Sequence, residues 1–215
     1  MSFSAELREA AAPVWEAQLA HPFVRGIGDG SLPEDRFRAY VRQDYLFLID
    51  YGRLLALAAA RAPRLEWMRR FAGLAQSVLE TEMDLHRQFA ARWGVTTEQL
   101  ESERTAPATG AYCDFLLRTA ALGDFAELVA SLLPCMWSYA EIGERLAAAG
   151  LPDERYAEWI TLYASDDFAQ LAAWCRELTD AAAAEVAGPG RLRMHVAFRA
   201  SSEHELAFWD SAWNS

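Results

Sequence analysis

Lysine is missing from this chain of 215 residues, and all 20 of its basic side chains are arginines. A Schiff base to an internal lysine is therefore excluded, and with it pyridoxal phosphate chemistry and the lysine-dependent aldolase reaction. The arginines form no basic patch, and a net charge of -11 would repel a phosphate backbone. The sequence thus predicts no nucleic-acid partner.

Cysteine is scarce as well. Cys113, Cys135 and Cys175 lie far apart, which argues against a disulfide framework and against a thiolate metal cluster. The N-terminal stretch carries Glu6 and Glu9 where a signal peptide needs an apolar core, and no later run reaches the roughly 18 to 20 apolar residues of a membrane span. We therefore expect a cytoplasmic protein with reduced thiols and no membrane partner.

Glycine and proline are sparse, and no segment alternates apolar and polar residues for long. Apolar residues instead recur about every 3.6 positions, which predicts an all-α, single-domain helical bundle over residues 1–215. The predicted helices cover about residues 4–20, 33–61, 64–94, 108–121, 124–149, 152–180 and 189–213, and GIGDGSLP at 26–33 is predicted to be a turn.

Three polar residues interrupt apolar stripes of these helices. The stripes are Phe37, Tyr40, Val41, Asp44, Phe47, Leu48, Tyr51 and Leu55; then Leu128, Leu132, Cys135, Ser138, Tyr139 and Ile142; then Phe198, Ser201, Ser202, Glu205, Phe208, Trp209 and Ala212. Cys135 also follows Pro134, and a proline inside a helix removes a backbone donor and favours a kink beside ligand sites.

A carboxylate that loses its water pays several kcal/mol or shifts its pKa, so Asp44 and Glu205 on apolar stripes predict a polar cavity. If the stripes converge, Cys135 joins them there as a candidate nucleophile. The alternatives are a packing cysteine and a carboxylate paired with an arginine. Glu82 and His86, four residues apart on another stripe, fit either two metal ligands or an intrahelical pair, of which the pair is favoured.

Four stretches resemble the TenA family, the thiaminase II or aminopyrimidine aminohydrolase family, along nearly the whole chain. They are HPFVRGIGDGSLPEDRFRAYVRQDY at His21 to Tyr45, ETEMDLHRQFA at Glu80 to Ala90, LLPCMWSYAEIGERL at Leu132 to Leu146, and SSEHELAFWDSAW at Ser201 to Trp213. The resemblance implies a haem-oxygenase-like fold without haem, a homotetramer, no cofactor or metal, and a role in thiamin salvage.

The resemblance also implies roles for single residues. The family's nucleophile falls on Cys135 and its acid/base glutamate on Glu205, while its pyrimidine-holding aspartate falls on Asp44. Its substrate-contacting tyrosines fall on Tyr112, Tyr139 and Tyr163, and Phe47 and Phe208 are expected to line the ring. The family often has a tyrosine where this chain has Phe47, so activation of the thiol must depend on other groups.

The implied reaction is cysteine-dependent hydrolysis of an aminomethylpyrimidine to hydroxymethylpyrimidine and ammonia, with cleavage of thiamin to the thiazole as a further activity. Two other functions stay open. One is a haem-oxygenase-like di-iron oxidase that would use Glu82 and His86, although four histidines offer few ligands. The other is a non-catalytic protein that binds pyrimidines or regulates through protein contacts.

Overall fold

A computed structural model describes residues 1–150 and 153–215, which form twelve α-helices and one π-helical turn, with no strand among them. The helices are α1 (Phe3–Ala10), α2 (Ala12–Leu19), α3 (Pro22–Asp29), α4 (Glu34–Arg61), α5 (Leu65–Ser77), α6 (Met83–Arg92), α7 (Thr97–Glu101), α8 (Pro107–Leu122), α9 (Phe125–Ala149), α10 (Glu154–Tyr163), α11 (Asp166–Ala184) and α12 (Gly188–Trp213). The π-helical turn, Val78–Glu82, connects α5 to α6. The predicted all-α class is confirmed.

Several predicted boundaries are wrong. The helix predicted over 152–180 is two helices, because the Ser165 hydroxyl accepts the Phe168 N–H at 3.2 Å and caps a new helix. Its predicted start, residue 152, lies outside the described residues. The segment predicted as one helix over 64–94 consists of α5 and α6 joined by the π-helical turn. The chain stays helical there, but this one turn is wider than an α-helical turn.

The N-terminal third differs in a similar way. The segment 4–20 breaks at Ala11, which has φ of -100° and ψ of 9° and ends α1. Residues 26–29, predicted to be a turn, are the last turn of α3, and the chain reverses only at Gly30, whose φ of 76° is left-handed. The short helix α7 was not predicted, although Thr96 and Gln99 form a capping box at its start.

The three long helices that carry the polar interruptions bury the apolar residues expected of them, although Cys135 on α9 is itself only half-buried. Asp44 is 3% exposed on α4 and Glu205 is 2% exposed on α12, each among buried apolar neighbours. Their opposite faces carry charged side chains, and none of the described helices is long and apolar enough to cross a bilayer. Burial of the apolar stripes therefore directs both carboxyl groups towards the protein interior.

Helix α9 packs against α10, α11 and α12. It continues through Pro134 to Ala149, and Cys135 follows the proline directly. One turn beyond Tyr139, Gly143 lets the end of α10 approach closely, since a Cβ there would lie 2.4 Å from the carbonyl carbon of Tyr163. This close approach holds Tyr163 beside α9.

Gly143→Ala should therefore destabilise the protein, by about 2 kcal/mol, because the added methyl group meets backbone atoms that cannot rotate away. Gly73→Ala is the matched control, since nothing lies within 4 Å of a Cβ at that helical position. We expect the control to gain about 0.5 to 1 kcal/mol from its helix propensity. Thermal unfolding measures both changes, and equal melting temperatures for the two variants would contradict the close approach.

Candidate active site

A small cavity lies where α4, the π-helical turn, α9 and the junction of α10 with α11 meet. It encloses about 10 Å³, which is room for about one water molecule. Its wall consists of Asp44, Phe47, Leu48, Tyr51, Glu82, Cys135, Met136, Tyr139, Tyr163 and Phe168. The cavity thus combines a thiol and two carboxyl groups with five aromatic rings.

Two neighbours fix the Asp44 carboxyl group. Its Oδ2 accepts a hydrogen bond from the Tyr40 hydroxyl at 3.0 Å and lies 2.7 Å from Nε2 of His86. Trp159 Nε1 donates in turn to the Tyr40 oxygen at 3.2 Å. No described residue donates to Oδ1 of Asp44, so this oxygen stays available to a ligand.

His86 has an acceptor at each ring nitrogen. Nδ1 lies 2.9 Å from the backbone carbonyl of Glu82, which can only accept, and Nε2 faces the Asp44 carboxylate. An imidazole that meets two acceptors is best satisfied when both nitrogens carry protons. Burial lowers the pKa of His86, but the hydrogen bond and the negative charge of Asp44 outweigh it, and the pKa is raised. We therefore describe the contact as an imidazolium–carboxylate pair.

Glu82 bonds to a different partner from the one that its spacing suggested. Its side chain accepts a hydrogen bond from the Tyr163 hydroxyl at 2.7 Å, while only its backbone carbonyl meets His86. Burial, with a contribution from the charge of Asp44, raises the pKa of Glu82 to about 7 against the lowering effect of Tyr163. The favoured intrahelical pair is thus present through the backbone alone. Glu82 is half protonated near neutral pH.

Glu205 of α12 lies behind the cavity wall, near the Cys135 thiol. The Tyr112 hydroxyl donates to its Oε1 at 2.7 Å and lies 2.9 Å from the Ser201 hydroxyl. Burial raises the pKa of Glu205 to about 8, while hydrogen bonds from Tyr112 and from the Cys135 thiol lower it. Glu205 therefore holds a proton at neutral pH and can exchange it with a neighbour.

The Cys135 thiol is surrounded by acidic groups. Burial raises its pKa well above the ordinary value, and the charges of Glu205, Glu82 and Asp44 raise it further. A thiol in such surroundings stays protonated until a base takes its proton. The ionised form of Glu205 is placed to do so, because its carboxyl group is near enough to the thiol that each alters the pKa of the other.

Aromatic rings close the sides of the cavity. The rings of Tyr139 and Tyr163 lie 4.9 Å apart on one side. Phe47 forms another wall, and behind it lie Tyr112 at 5.0 Å and Phe208 at 6.0 Å between ring centroids. A flat heteroaromatic ring would find aromatic faces on both sides here.

The eight residues expected at the site fall into two groups. Asp44, Phe47, Cys135, Tyr139 and Tyr163 line the cavity, whereas Tyr112, Glu205 and Phe208 contact its wall from behind.

Sequence reasoning passed over two cavity residues and one that supports the wall. Glu82 and His86 share an apolar stripe at a spacing of four, and this interruption of the stripe was the signal for both. Tyr51 gave no such signal, because a tyrosine on an apolar stripe has the pattern of a packing residue.

The described residues include no group of three or more His, Cys, Asp or Glu side chains arranged to hold a metal ion. Asp44, Glu82 and His86 are close, yet they bond to one another and to tyrosines. The di-iron alternative therefore has no ligand set within residues 1–150 and 153–215.

Known proteins resemble this chain over its full length. The sequence profile of the TENA/THI-4/PQQC family matches residues 8–215. The aminopyrimidine aminohydrolase of Halalkalibacterium halodurans is 44% identical and covers 100% of this chain and 96% of its own length. The aminopyrimidine aminohydrolase of Bacillus subtilis is 38% identical and covers 99% of this chain and 90% of its own length.

Solved structures also resemble this chain. A TenA homologue from P. horikoshii OT3 superposes with a TM-score of 0.91 at 30% identity and covers 100% of this chain and 99% of its own. A domain with a haem-oxygenase-like fold from Shewanella denitrificans has a TM-score of 0.74 at 16% identity and covers 98% of this chain and 91% of its own. The second likeness shows the fold alone, and it confirms the expected haem-oxygenase-like architecture.

The raised pKa of Glu205 predicts a pH-dependent cost in stability. Between its unfolded value of 4.5 and its folded value of about 8, the native state keeps a proton that the unfolded state has released, so stability falls as pH rises through this range. Glu205→Gln removes this titration. We expect the variant to exceed the parent in free energy of unfolding by about 4 to 5 kcal/mol at pH 8.5 and to approach it near pH 4.5.

Denaturant unfolding at several pH values measures this difference. Glu203→Gln is the matched control, because Glu203 lies on the same helix and pairs with Arg199 in the solvent. Parallel pH profiles for Glu205→Gln and the parent would contradict the raised pKa.

Proposed function

The chain belongs to the TENA/THI-4/PQQC family, and we propose that it hydrolyses an aminopyrimidine in thiamin salvage. The substrate is the aminomethylpyrimidine derived from thiamin, and the products are hydroxymethylpyrimidine and ammonia. The observation that carries the proposal is a cavity that combines the Cys135 thiol, the carboxyl groups of Asp44 and Glu82 and aromatic walls, with the protonated Glu205 carboxyl group behind the wall. Full-length relatives that bear the name aminopyrimidine aminohydrolase support it.

Asp44 holds the pyrimidine in this proposal. An aminopyrimidine presents a ring nitrogen and an amino group on one edge, and a carboxyl group can bridge both. Oδ2 of Asp44 is already bonded to Tyr40 and His86, so the orientation of the group is fixed before a ligand arrives. The ring nitrogen binds in its protonated form, so that its N–H and the amino group both donate to the Asp44 carboxylate, and the positive charge draws electrons from the ring and prepares it for attack.

Cys135 then acts as the nucleophile. The reactive form is the one in which Glu205 is ionised, which grows as pH approaches the Glu205 pKa of about 8. In this form the thiol proton passes to the Glu205 carboxylate, and the thiolate forms a bond to a ring carbon while the ring electrons move towards the nitrogen held by Asp44. The bond between the exocyclic methylene and the amine breaks, and the amine leaves with the proton from Glu205.

Water completes the substitution. It adds to the methylene carbon and gives a proton to Glu205, the carbon–sulfur bond breaks, and the ring regains its aromaticity. The Cys135 sulfur and Glu205 then hold one proton between them, as they did before the thiol attacked. If thiamin is the substrate, the thiazole leaves in place of the amine.

The substrate needs more room than about 10 Å³, so the wall must move when it binds. Phe168 is half-buried in the first turn of α11, and its ring meets Tyr163 edge-on at 5.0 Å. We propose that Phe47 and Tyr139 contact the pyrimidine faces and that Phe208 supports Phe47 from behind. Tyr112 holds the carboxyl group of Glu205, and Tyr163 holds that of Glu82.

Residues 1–215 form one domain in this proposal, and the protein is a cytoplasmic homotetramer. Its three cysteines are free, in keeping with a reducing compartment. Leu122, Leu192 and Val196 are exposed by 77%, 65% and 62% and offer apolar surface to a second copy.

Cys135→Ser should lower the release of ammonia from aminomethylpyrimidine on the order of a thousandfold or more, because a serine hydroxyl is a much weaker nucleophile than a thiolate. Cys113→Ser is the control, since Cys113 is buried on α8 outside the cavity wall. Retained turnover in Cys135→Ser would sink the nucleophile assignment. Tight binding of hydroxymethylpyrimidine by a parent that turns over no precursor would favour a non-catalytic binding protein instead.

The pH dependence of kcat/KM should follow Glu205. Below its pKa of about 8, both Glu205 and the thiol are protonated and no base remains, so kcat/KM should rise about tenfold per pH unit and level off above pH 8. The measurement is initial ammonia release between pH 6 and 9 with the ionisation of the substrate taken into account. A flat profile would contradict the assignment of Glu205 as the base.

A further inference from the structure

The Tyr51 hydroxyl is an exception to the usual pairing of buried polar groups. Tyr51 is 1% exposed, and no described residue is a hydrogen-bond partner of its hydroxyl. A buried hydroxyl without a partner costs about 1 to 3 kcal/mol. Such a cost at a cavity wall points to a partner that forms only during function.

The position of Tyr51 identifies that partner. Tyr51 lines the same cavity as Cys135, one helical turn after Phe47, and its ring stacks on Phe47 with centroids 5.4 Å apart. The other cavity hydroxyls are engaged, since Tyr163 donates to Glu82 and Tyr139 lies 3.4 Å from the Tyr40 hydroxyl. Phe47 has no hydroxyl to offer.

The other groups around the thiol disfavour a negative charge on its sulfur. Asp44 of α4, Glu82 of the π-helical turn and Glu205 of α12 all raise the pKa of Cys135 in addition to its burial. The Tyr51 hydroxyl acts in the opposite direction and lowers the pKa of the thiol, because a hydrogen bond from this hydroxyl to the sulfur favours the charged thiolate. Burial and the neighbouring Cys135 raise the pKa of Tyr51 itself well above its usual value, so its hydroxyl keeps its proton and stays a donor.

We propose that Tyr51 is a positioning residue for the nucleophile, whose hydroxyl donates a hydrogen bond to the sulfur of Cys135 when the thiolate forms. This role rests on the proposed hydrolysis, in which the thiol proton goes to Glu205. Tyr51 transfers no proton and forms no covalent bond. The Tyr51 hydroxyl, unpaired in the resting protein, thereby gains a hydrogen-bond acceptor at the step in which the sulfur becomes charged. Tyr51 lies one helical turn after Phe47, where a hydroxyl is missing.

Tyr51→Phe tests the role without any substrate. The rate at which iodoacetamide alkylates Cys135 is followed from pH 6 to 10 by peptide mass spectrometry, which separates this thiol from Cys113 and Cys175. We expect the thiol pKa to rise by about one unit, which makes alkylation about tenfold slower at pH 8. Because the hydroxyl has no partner in the resting protein, the melting temperature should not fall.

Tyr45→Phe is the matched control. Tyr45 is buried on the same helix, and its hydroxyl reaches Glu101 at 3.4 Å instead of the cavity. Its alkylation rate should equal that of the parent. Equal alkylation rates in Tyr51→Phe and the parent would overturn the proposal, and so would a fall in melting temperature with no change in alkylation.

Turnover separates this proposal from the proposed function. If the parent hydrolyses aminomethylpyrimidine, Tyr51→Phe should lower kcat about tenfold with KM unchanged, and an unchanged kcat would overturn the role. A parent that hydrolyses no aminopyrimidine would refute the function, while slower alkylation in Tyr51→Phe would still support the contact between Tyr51 and the sulfur.

Discussion

The crowding of acidic groups in one small cavity is the constraint on which the site depends. Asp44 and Glu82 line the cavity with Cys135, and Glu205 lies behind the wall, where its charge raises the pKa of the thiol. Each negative charge disfavours the next in a medium with little water. Protonated His86 faces the Asp44 carboxyl group, whereas burial raises the pKa of Glu82 to about 7 and that of Glu205 to about 8, so Glu82 is half protonated and Glu205 keeps its proton at neutral pH. One protein interior thereby provides a fixed carboxylate, a proton donor and a base.

Helix packing produces this arrangement. The stripes of α4 and α12 are buried and carry Asp44 and Glu205 inside with them, while the stripe of α9 is buried on both sides of the half-buried Cys135. The free energy gained from apolar burial offsets the cost of the enclosed carboxyl groups. Gly143 then brings Tyr163 against α9, where its hydroxyl holds Glu82. The cost of burying the carboxyl groups of the site is thus offset by packing elsewhere in the bundle.

Sequence alone predicted the parts of this structure that leave a local pattern. A carboxylate on an apolar stripe identified Asp44 and Glu205, and periodicity predicted α4, α8, α9 and α12 almost to their ends. The break at Ser165 was missed despite a serine followed by two aspartates, which is the pattern of a helix start. Tyr51 and His86 could not be assigned, because their importance depends on which helix faces them, and spacing along one helix does not contain that information.

The charge of His86 is the quantity on which the account depends most. Nitrogen-15 NMR of the histidine side chains of the unliganded protein, titrated from pH 6 to 9, reports whether each ring nitrogen carries a proton. The account predicts that both nitrogens of His86 keep their protons to a higher pH than those of an ordinary histidine, because each faces an acceptor. A neutral His86 ring at pH 7 would contradict it, since the proton would then belong to Asp44 and the fixed carboxylate would not exist.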